Sequence, residues 1–262
     1  MPTPRAPAGR LVVCPTPIGN LEDVTLRVLG ALAAADVLAC EDTRHTQRLL
    51  SRHGIEAQTV SYHEHNERAR ASELVGRIAG GTVVALVSDA GTPLISDPGF
   101  ELVRACLAAG VAVEVLPGPC AAVTALVASG LPPDRWRFVG FLPRSRGECT
   151  RVLAGADSTL VAYESPGRLA TALAGLAEVD PDRPVAVCRE LTKLHEEVRR
   201  GSAAELAAHY GRERPRGEVV LVCGAAAEGA PERGEALAAV RELVAAGARP
   251  RAAAGTVARL TG

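Results

Sequence analysis

The chain has 262 residues, a formal net charge of −1 and 47% hydrophobic residues. This charge balance excludes a globally basic nucleic-acid binder, although local basic patches are compatible with it, and the apolar content can supply the core of one large domain or two ordinary ones. The seven cysteines are scattered and never in CxxC spacing, so neither a disulfide framework nor a zinc site is indicated and a reducing cytoplasm is expected.

No segment of the sequence is typical of targeting or membrane insertion. The amino-terminal stretch MPTPRAPAGR has no apolar signal core, and no apolar run reaches the ~20 residues that a membrane helix needs. We therefore predict a soluble, cytoplasmic protein.

Short apolar strands alternate with helices through the first half of the chain. Strands are predicted at residues 11–14, 35–40, 59–61, 83–87 and 111–115, and helical spacing of apolar side chains occurs in each interval between them. This alternation is typical of a mainly parallel sheet, on which ligands bind beyond the carboxyl ends of the strands.

The loop SDAGTPLISDPG, residues 88–99, follows the buried strand predicted at 83–87. Gly91 and Gly99 permit backbone conformations that are closed to other residues. An ordinary connection is one interpretation, but such loops usually have about two to six residues, so this length favours a binding site. No GxGxxG or GxxxxGK[ST] motif occurs, and we expect a flat or neutral ligand group rather than a triphosphate.

The second half repeats the alternation after a Pro-rich, basic stretch, LPPDRWRFVGFLPRSRGECTR, whose first part we interpret as the link between the halves. Strands are predicted at residues 158–163, 184–188 and 217–224, and Ser165 followed by Pro166 predicts a helix start.

The chain after the last predicted strand is rich in Ala, Arg and Glu, with helical spacing that includes Leu237. We predict an α/β fold with domains at residues 1–118 and 119–224 and a small helical appendage at residues 225–262.

Several motifs together resemble one protein family. They are PTPIGNLEDVTLR, CEDTR, SYHEHNE, SDAGTPLISDPG, PGPCAAVTAL, FVGFLPR, YESPGRL and RELTKLHEE. Along residues 11–224 the chain resembles the bacterial ribosomal RNA small subunit methyltransferases I, within the tetrapyrrole methylase superfamily. The resemblance implies two α/β domains of that type with S-adenosylmethionine in the cleft between them, a homodimer, and 2′-O-methylation of a cytidine ribose in the decoding region of 16S rRNA in the 30S subunit.

The resemblance also implies cofactor contacts. Related enzymes hold the cofactor with positions matched here by Ala90, Gly91, Thr92, Ile95, Cys120, Ala121, Glu164 and Leu191. Thr92 stands where the porphyrinoid methylases usually have the aspartate of a GDP triplet, which favours the RNA-methylating branch. Relatives tend to continue past the segment matched by residues 252–262, so we expect a shortened appendage that affects RNA or dimer contacts rather than the cleft.

Methyl transfer to a ribose requires the 2′-oxygen in line with the methyl group and a nearby acceptor for its proton, which is worth ~10²–10⁴ in rate. The segments CEDTRH and SYHEHNE follow predicted strands that end at the same sheet edge. We hypothesise that His63 or His65 is the base or an orienting group. Asp42 or Glu64 would be its partner, and Arg44 would clamp a phosphate, because arginine binds phosphate in bidentate fashion.

Two other interpretations of SYHEHNE stay open. Ser61 and Glu64 also fit a capping box, in which Glu64 returns to the Ser61 backbone N–H. His63 and His65 also fit a metal pair, but no further ligand set at suitable spacing accompanies them, and we predict no metal.

Five arginines are concentrated around the predicted link between the halves: Arg135, Arg137, Arg144, Arg146 and Arg151. We predict that RNA lies across them, with affinity that falls steeply with salt. The alternative is a solvated charged surface.

Two other functions are compatible with the sequence. One is a porphyrinoid methyltransferase that acts on a uroporphyrinogen or precorrin. The other is a non-catalytic RNA- or nucleotide-binding module that binds S-adenosylmethionine, or nothing, without consuming it. The general base, the nucleotide, and the choice between naked RNA and assembled 30S subunits are left open at this point.

Overall fold

The computed structural model describes residues 9–226 and 233–261. The elements of the first half are β1 (Arg10–Val13), α1 (Leu26–Ala34), β2 (Val37–Cys40), α2 (Thr43–Arg52), β3 (Thr59–Ser61), α3 (Glu67–Ala79), β4 (Val83–Val87), α4 (Phe100–Ala108) and β5 (Ala112–Val115). The five strands form one sheet in the order β3-β2-β4-β1-β5, and every neighbouring pair is parallel. The predicted parallel sheet is confirmed.

Helices cover both faces of this sheet. Leu86 of β4 packs with α3 and α4 on one face, whereas Val87 packs with α1 and α2 on the other. A strand buried on both faces must be apolar throughout, so polar side chains are confined to the loops that follow the strands. Because the strands are parallel, those loops meet at one edge of the sheet.

The second half forms another five-stranded sheet. Its elements are α5 (Ala121–Ser129), β6 (Trp136–Phe141), α6 (Arg146–Ala154), β7 (Thr159–Glu164), α7 (Pro166–Val179), β8 (Pro184–Arg189), β9 (Glu197–Ser202), α8 (Ala203–Arg212) and β10 (Val219–Cys223). The strand order is β6-β7-β10-β8-β9. The β6–β7 pair is parallel and the other pairs are antiparallel.

Helix α5 joins the two halves. Its buried residues Ala122, Ala125 and Leu126 pack on the second sheet, and Ile18 from the first half belongs to the same apolar cluster. Helices α6, α7 and α8 pack on the opposite face of the second sheet. The predicted fold class of two α/β units is therefore confirmed, while the limits at residues 118 and 224 stay predictions.

The second half contains two edge strands that the sequence pattern does not predict. Strand β6 lies inside the Pro-rich basic stretch, and β9 follows the RELT segment. Both are edge strands, and Trp136, Phe141 and Arg199 are exposed on them. An edge strand needs backbone pairing but little apolar burial, so it gives a weak hydrophobic signal.

Two helices, α9 (Arg233–Ala245) and α10 (Pro250–Thr261), form the predicted helical appendage. Residues 1–8 and 262 lie outside the described part of the chain, and so does the side chain of Leu237. Within residues 9–226 and 233–261, no helix combines the length and the apolar character that crossing a membrane requires.

Candidate active site

A cavity of about 360 Å³ lies where the two halves meet. The first-domain wall of this cleft is defined here as the loop at residues 88–99, which follows β4. The second-domain wall is defined as residues 163–166, after β7, together with residues 217–220 at the start of β10. Ile18, Cys120, Ala121 and Phe141 complete the lining. The volume lies within the range of small-molecule binding sites.

The first-domain wall is built by unusual backbone geometry. Gly91 has φ 80°, Gly99 has φ 136°, and the non-glycine residues Leu94 and Ser96 have φ 75° and 66°. Non-glycine residues in this region cost of order 1–3 kcal/mol each and occur preferentially at functional sites.

Hydrogen bonds anchor this loop at two points. Thr16 and Gly91 exchange two backbone hydrogen bonds, of 2.8 and 3.0 Å. The Thr92 hydroxyl donates to the Pro119 carbonyl oxygen at 2.9 Å. The loop is thereby fixed to the end of β1 and to the segment that leads into the second half.

The second-domain wall holds a buried carboxylate whose Oε1 atom is bound by several neighbouring groups. Glu164 is 3% exposed, and its Oε1 accepts from the Ser165 backbone N–H at 2.6 Å and from the Arg168 guanidinium at 2.6 Å. Arg168 also donates to the Leu142 and Pro143 carbonyl oxygens. Helix α7 begins with Pro166 as predicted, but the Ser165 hydroxyl bonds Glu164 instead of capping the helix.

The cavity gathers most of the predicted cofactor positions. Those that line it are Ala90, Gly91, Thr92, Ile95, Cys120, Ala121 and Glu164. Leu191 does not line it and is buried in the apolar cluster that contains Ile18.

Three carboxylates line the cavity: Asp97, Glu164 and Glu218. The pKa of Asp97 is raised to about 7, first by burial and then by the carboxylates of Glu41, Asp89 and Glu218, while the Ser88 hydroxyl opposes the shift. The pKa of Glu41 is also raised, first by burial and then by Asp89, while His63 opposes the shift.

Sequence reasoning did not single out Asp97, Glu41 or Asp89. The available signal was the position of Asp97 in the SDPG end of a loop already predicted to bind a ligand. No local pattern in the sequence indicates that carboxylates next to β2, β4 and β10 interact with Asp97.

The two predicted histidines lie at the turn after β3, outside the residues that line the cavity. Their ring centroids are 5.9 Å apart. The Asn66 side-chain amide lies 3.3 Å from Nε2 of His63, and Nδ1 of His63 is buried without a partner among the described residues.

The capping-box interpretation of Ser61 and Glu64 is wrong. Helix α3 begins at Glu67, so Glu64 lies in the preceding turn. Asn66 holds this turn instead: its side-chain oxygen accepts from the His63 backbone N–H at 2.9 Å, and its amide donates to the Ser61 carbonyl oxygen at 3.2 Å.

Asp42 pairs with Arg44 rather than with a histidine. Its carboxylate accepts from Nη2 of Arg44 at 2.9 Å and from the Arg44 backbone N–H at 2.8 Å, which caps α2. The Arg44 side chain and backbone lower the pKa of Asp42 to about 2. The guanidinium of Arg44 is otherwise exposed to solvent.

The predicted arginine patch is divided between the two ends of β6. Arg135 and Arg137 lie at the start of the strand, whereas Arg144 and Arg146 lie just after it. Six strand residues span roughly 17 Å. Arg144 and Arg146 line a small cavity of about 100 Å³ that shares Glu164 with the cleft, so only this end of the patch adjoins it. Arg151, further along α6, is also exposed.

Comparison with known proteins gives the class of the fold. A family model of the tetrapyrrole (corrin/porphyrin) methylases matches residues 10–207. A crystal structure of uroporphyrin-III C-methyltransferase from Thermus thermophilus is 27% identical and superposes with a TM-score of 0.60, over 82% of this chain and 94% of that one. The two α/β domains are thus those of a tetrapyrrole methylase.

Proteins with similar sequences identify the family within this class. The ribosomal RNA small subunit methyltransferase I of Mesorhizobium japonicum is 48% identical, over 87% of this chain and 79% of its own length. The protein of the same name from Micromonospora olivasterospora is 45% identical, over 98% of this chain and 84% of its own length. The chain belongs to the ribosomal RNA small subunit methyltransferase I family of the tetrapyrrole methylases.

Proposed function

We propose that this protein is an S-adenosylmethionine-dependent ribosomal RNA methyltransferase. Its reaction is 2′-O-methylation of a cytidine ribose in the decoding region of 16S rRNA, and it works in the cytoplasm on the 30S subunit. The observation that carries the proposal is the convergence of the family's cofactor positions from both halves of the chain, among them Gly91, Thr92 and Ala121, on one cavity.

The residues of the cavity fit the proposed methyl donor. Ile18, Ile95 and Val220 offer an apolar surface for a flat adenine ring, and the carboxylates of Asp97 and Glu218 offer negative charge to a sulfonium cation. The bound donor would supply an activated methyl group. The protein's own contribution is to hold the ribose in line with it, exclude water and accept the proton.

The RNA side of the proposal rests on exposed cations beside the cleft. Arg144 and Arg146 adjoin it through Glu164, and we propose that they bind phosphates. Arg146 also pairs with Glu178, so Arg144 is the stronger candidate of the two. Arg44 stays a proposed phosphate clamp at the edge of the first sheet. His65 and Glu64, predicted as a base and its partner, are not among the residues that line the cavity.

A homodimer is proposed because large apolar side chains are exposed in one region of the chain. They are Leu107 on α4, Val115 on the edge strand β5, and Val123 and Val127 on α5. Contiguous apolar patches are typical of interaction surfaces, and we propose that these side chains belong to one. Light scattering on the purified protein measures the mass that tests this proposal.

The porphyrinoid alternative draws on the likeness to the Thermus thermophilus enzyme. The cavity lining contains three carboxylates and, within the part of the chain that the structure describes, no arginine or lysine. A uroporphyrinogen carries many carboxylates, which such a lining would repel. The ribose ring itself is neutral, and we propose that the flanking phosphates bind the arginines beside the cleft.

The test is transfer of tritium from labelled S-adenosylmethionine to 30S subunits from a strain that lacks the modification, followed by nuclease mapping. Label in one alkali-resistant cytidine dinucleotide supports the proposal, because 2′-O-methylation blocks alkaline cleavage at that site. Transfer to a uroporphyrinogen or precorrin with none to 30S subunits supports the porphyrinoid alternative. Donor binding without any transfer supports the non-catalytic one.

A further inference from the structure

We propose that Asp97 is the catalytic residue that accepts the proton of the ribose 2′-hydroxyl, an inference that rests on the proposed function. Asp97 lies on the first-domain wall, on the same loop as Ala90, Gly91 and Thr92, and its side chain lines the cavity with theirs. A group bound against this loop therefore meets the Asp97 carboxylate without rearrangement of the fold.

Elimination among the cavity carboxylates leaves Asp97. Glu164 is buried in an ion pair with Arg168, and Glu218 pairs with Lys193 at 3.0 Å. Among residues 9–226 and 233–261, no cationic side chain forms an ion pair with Asp97. A carboxylate held by a cation is a poor base, so the unpaired one is the candidate.

Of the other candidate bases near the cleft, Tyr163 has the wrong protonation state and the two histidines do not line the cavity. Tyr163 faces the same cavity, but burial raises the pKa of its phenol, reinforced by Cys120 and Asp97, so it stays neutral. His63 and His65 do not line the cavity. They follow β3, which β2 separates from β4. His63 lowers the pKa of Glu41, after β2, and Glu41 in turn raises the pKa of Asp97.

The electrostatic surroundings suit a base that works near neutral pH. The groups that face Asp97 are Glu41 from the end of β2, Ser88 and Asp89 after β4, Glu218 before β10, and Tyr163 on β7. Together with burial, the carboxylates bring the pKa of Asp97 to about 7. A general base is most effective when its pKa is close to the working pH.

The proposed step balances as follows. The 2′-oxygen forms a bond to the methyl carbon, and the carbon–sulfur bond breaks with its electron pair retained by sulfur. The hydroxyl proton passes to the Asp97 carboxylate, which becomes a neutral acid. The positive charge of the sulfonium and the negative charge of Asp97 both disappear, so the step creates no new charge in the cleft.

The test is the pH dependence of single-turnover methyl transfer to unmodified 30S subunits for the wild-type protein, Asp97→Asn and Glu41→Gln. The wild-type rate should rise with pH, reach half of its maximum near pH 7 and level off above about pH 8, because the rate follows the deprotonated fraction of Asp97. Asp97→Asn should lose ~10²–10⁴ in rate and lose the rise, while calorimetry shows its affinity for S-adenosylmethionine within a few-fold of wild type. Glu41→Gln should keep activity and move the rise to lower pH, because one neighbouring negative charge is removed.

Each other outcome has a distinct meaning. A wild-type protein that transfers no label overturns the proposed function and this inference with it. An active wild type with an equally active Asp97→Asn variant overturns the inference alone. The inference is also overturned if His63→Gln abolishes the pH-dependent rise while Asp97→Asn keeps it.

Discussion

Asp97 on the first-domain wall and Glu164 on the second-domain wall face the same cavity, yet their surroundings differ. Glu164 is buried against the Arg168 guanidinium and two groups of Ser165. Asp97 is surrounded by other carboxylates, which raise its pKa. A buried carboxylate that is paired with a cation supports the fold. A carboxylate held among other negative charges has a raised pKa, which suits acid–base chemistry but lowers the stability of the fold. The second-domain wall thus has a paired, structural carboxylate, and the first-domain wall has the carboxylate that we propose as the base.

The largest structural effect is expected from Gly99→Ala, which tests whether the first-domain wall depends on its backbone. Gly99 has φ 136°, and a Cβ there would lie 2.7 Å from Cδ1 of Leu94 and 2.8 Å from Cδ2 of Leu86. Positive φ and overpacking together should lower the free energy of unfolding by about 3 kcal/mol and weaken cofactor binding. Urea unfolding and calorimetry measure the two effects.

Gly110→Ala is the matched control for Gly99→Ala. Gly110 also has positive φ, 68°, but nothing lies within 4 Å of its added Cβ. The loss should be about 1 kcal/mol, with cofactor binding unchanged. Equal losses in the two variants would show that packing inside the loop at residues 88–99 contributes nothing.

A smaller effect is expected from Arg168→Met, which removes the cation of the second-domain wall. The Glu164 carboxylate would stay buried without its partner, and the free energy of unfolding should fall by about 2 kcal/mol, since Arg168 is itself one third exposed. Glu164→Gln should cost less, about 1 kcal/mol, because water can reach the remaining guanidinium. Thermal or urea unfolding of both variants gives the comparison, and a larger loss in Glu164→Gln contradicts it.

Asp97→Asn should stabilise the fold at neutral pH although it inactivates the enzyme. The folded-state pKa of about 7 lies above the ordinary aspartate value of 3.8, so the wild-type protein loses stability as the pH rises from about 4 to about 7. The variant has no such loss. Its melting temperature should match wild type near pH 4 and exceed it by a few degrees near pH 8. A constant difference across this range would mean that burial of Asp97 has no electrostatic cost.

The smallest effect is expected from the arginines at the two ends of β6. Replacing Arg144 and Arg146 with glutamine should flatten the salt dependence of 30S binding by roughly 0.7–0.9 in logarithmic slope for each lost phosphate contact. Replacing Arg135 and Arg137 should leave the slope unchanged, because they lie at the far end of the strand. Filter binding over a range of salt concentrations measures both pairs. An equal change of slope for the two pairs would show that all four arginines contribute to RNA binding.

The sequence by itself determined much of the cleft. Continuous apolar runs such as Val83–Val87 predicted buried parallel strands, because burial on both faces excludes polar residues. The glycines and prolines of residues 88–99 predicted the ligand loop, because the backbone there needs conformations that few residues adopt. Matching motifs then indicated the cofactor positions, most of which line one cavity.

Only the tertiary structure decided which charges are paired. Asp42 forms an ion pair with Arg44 of the adjoining helix, and Glu164 forms one with Arg168. Asp97 has no such partner among the residues that the structure describes and interacts with the carboxylates of Glu41, Asp89 and Glu218. Local pairs follow from helical spacing, but the surroundings of Asp97 come from strands more than a hundred residues apart in the chain. The pKa of a carboxylate depends on burial and on charges within a few ångströms. The burial of Asp97 and its distances to these charges are therefore fixed only in the folded protein, where both domains contribute to the cleft.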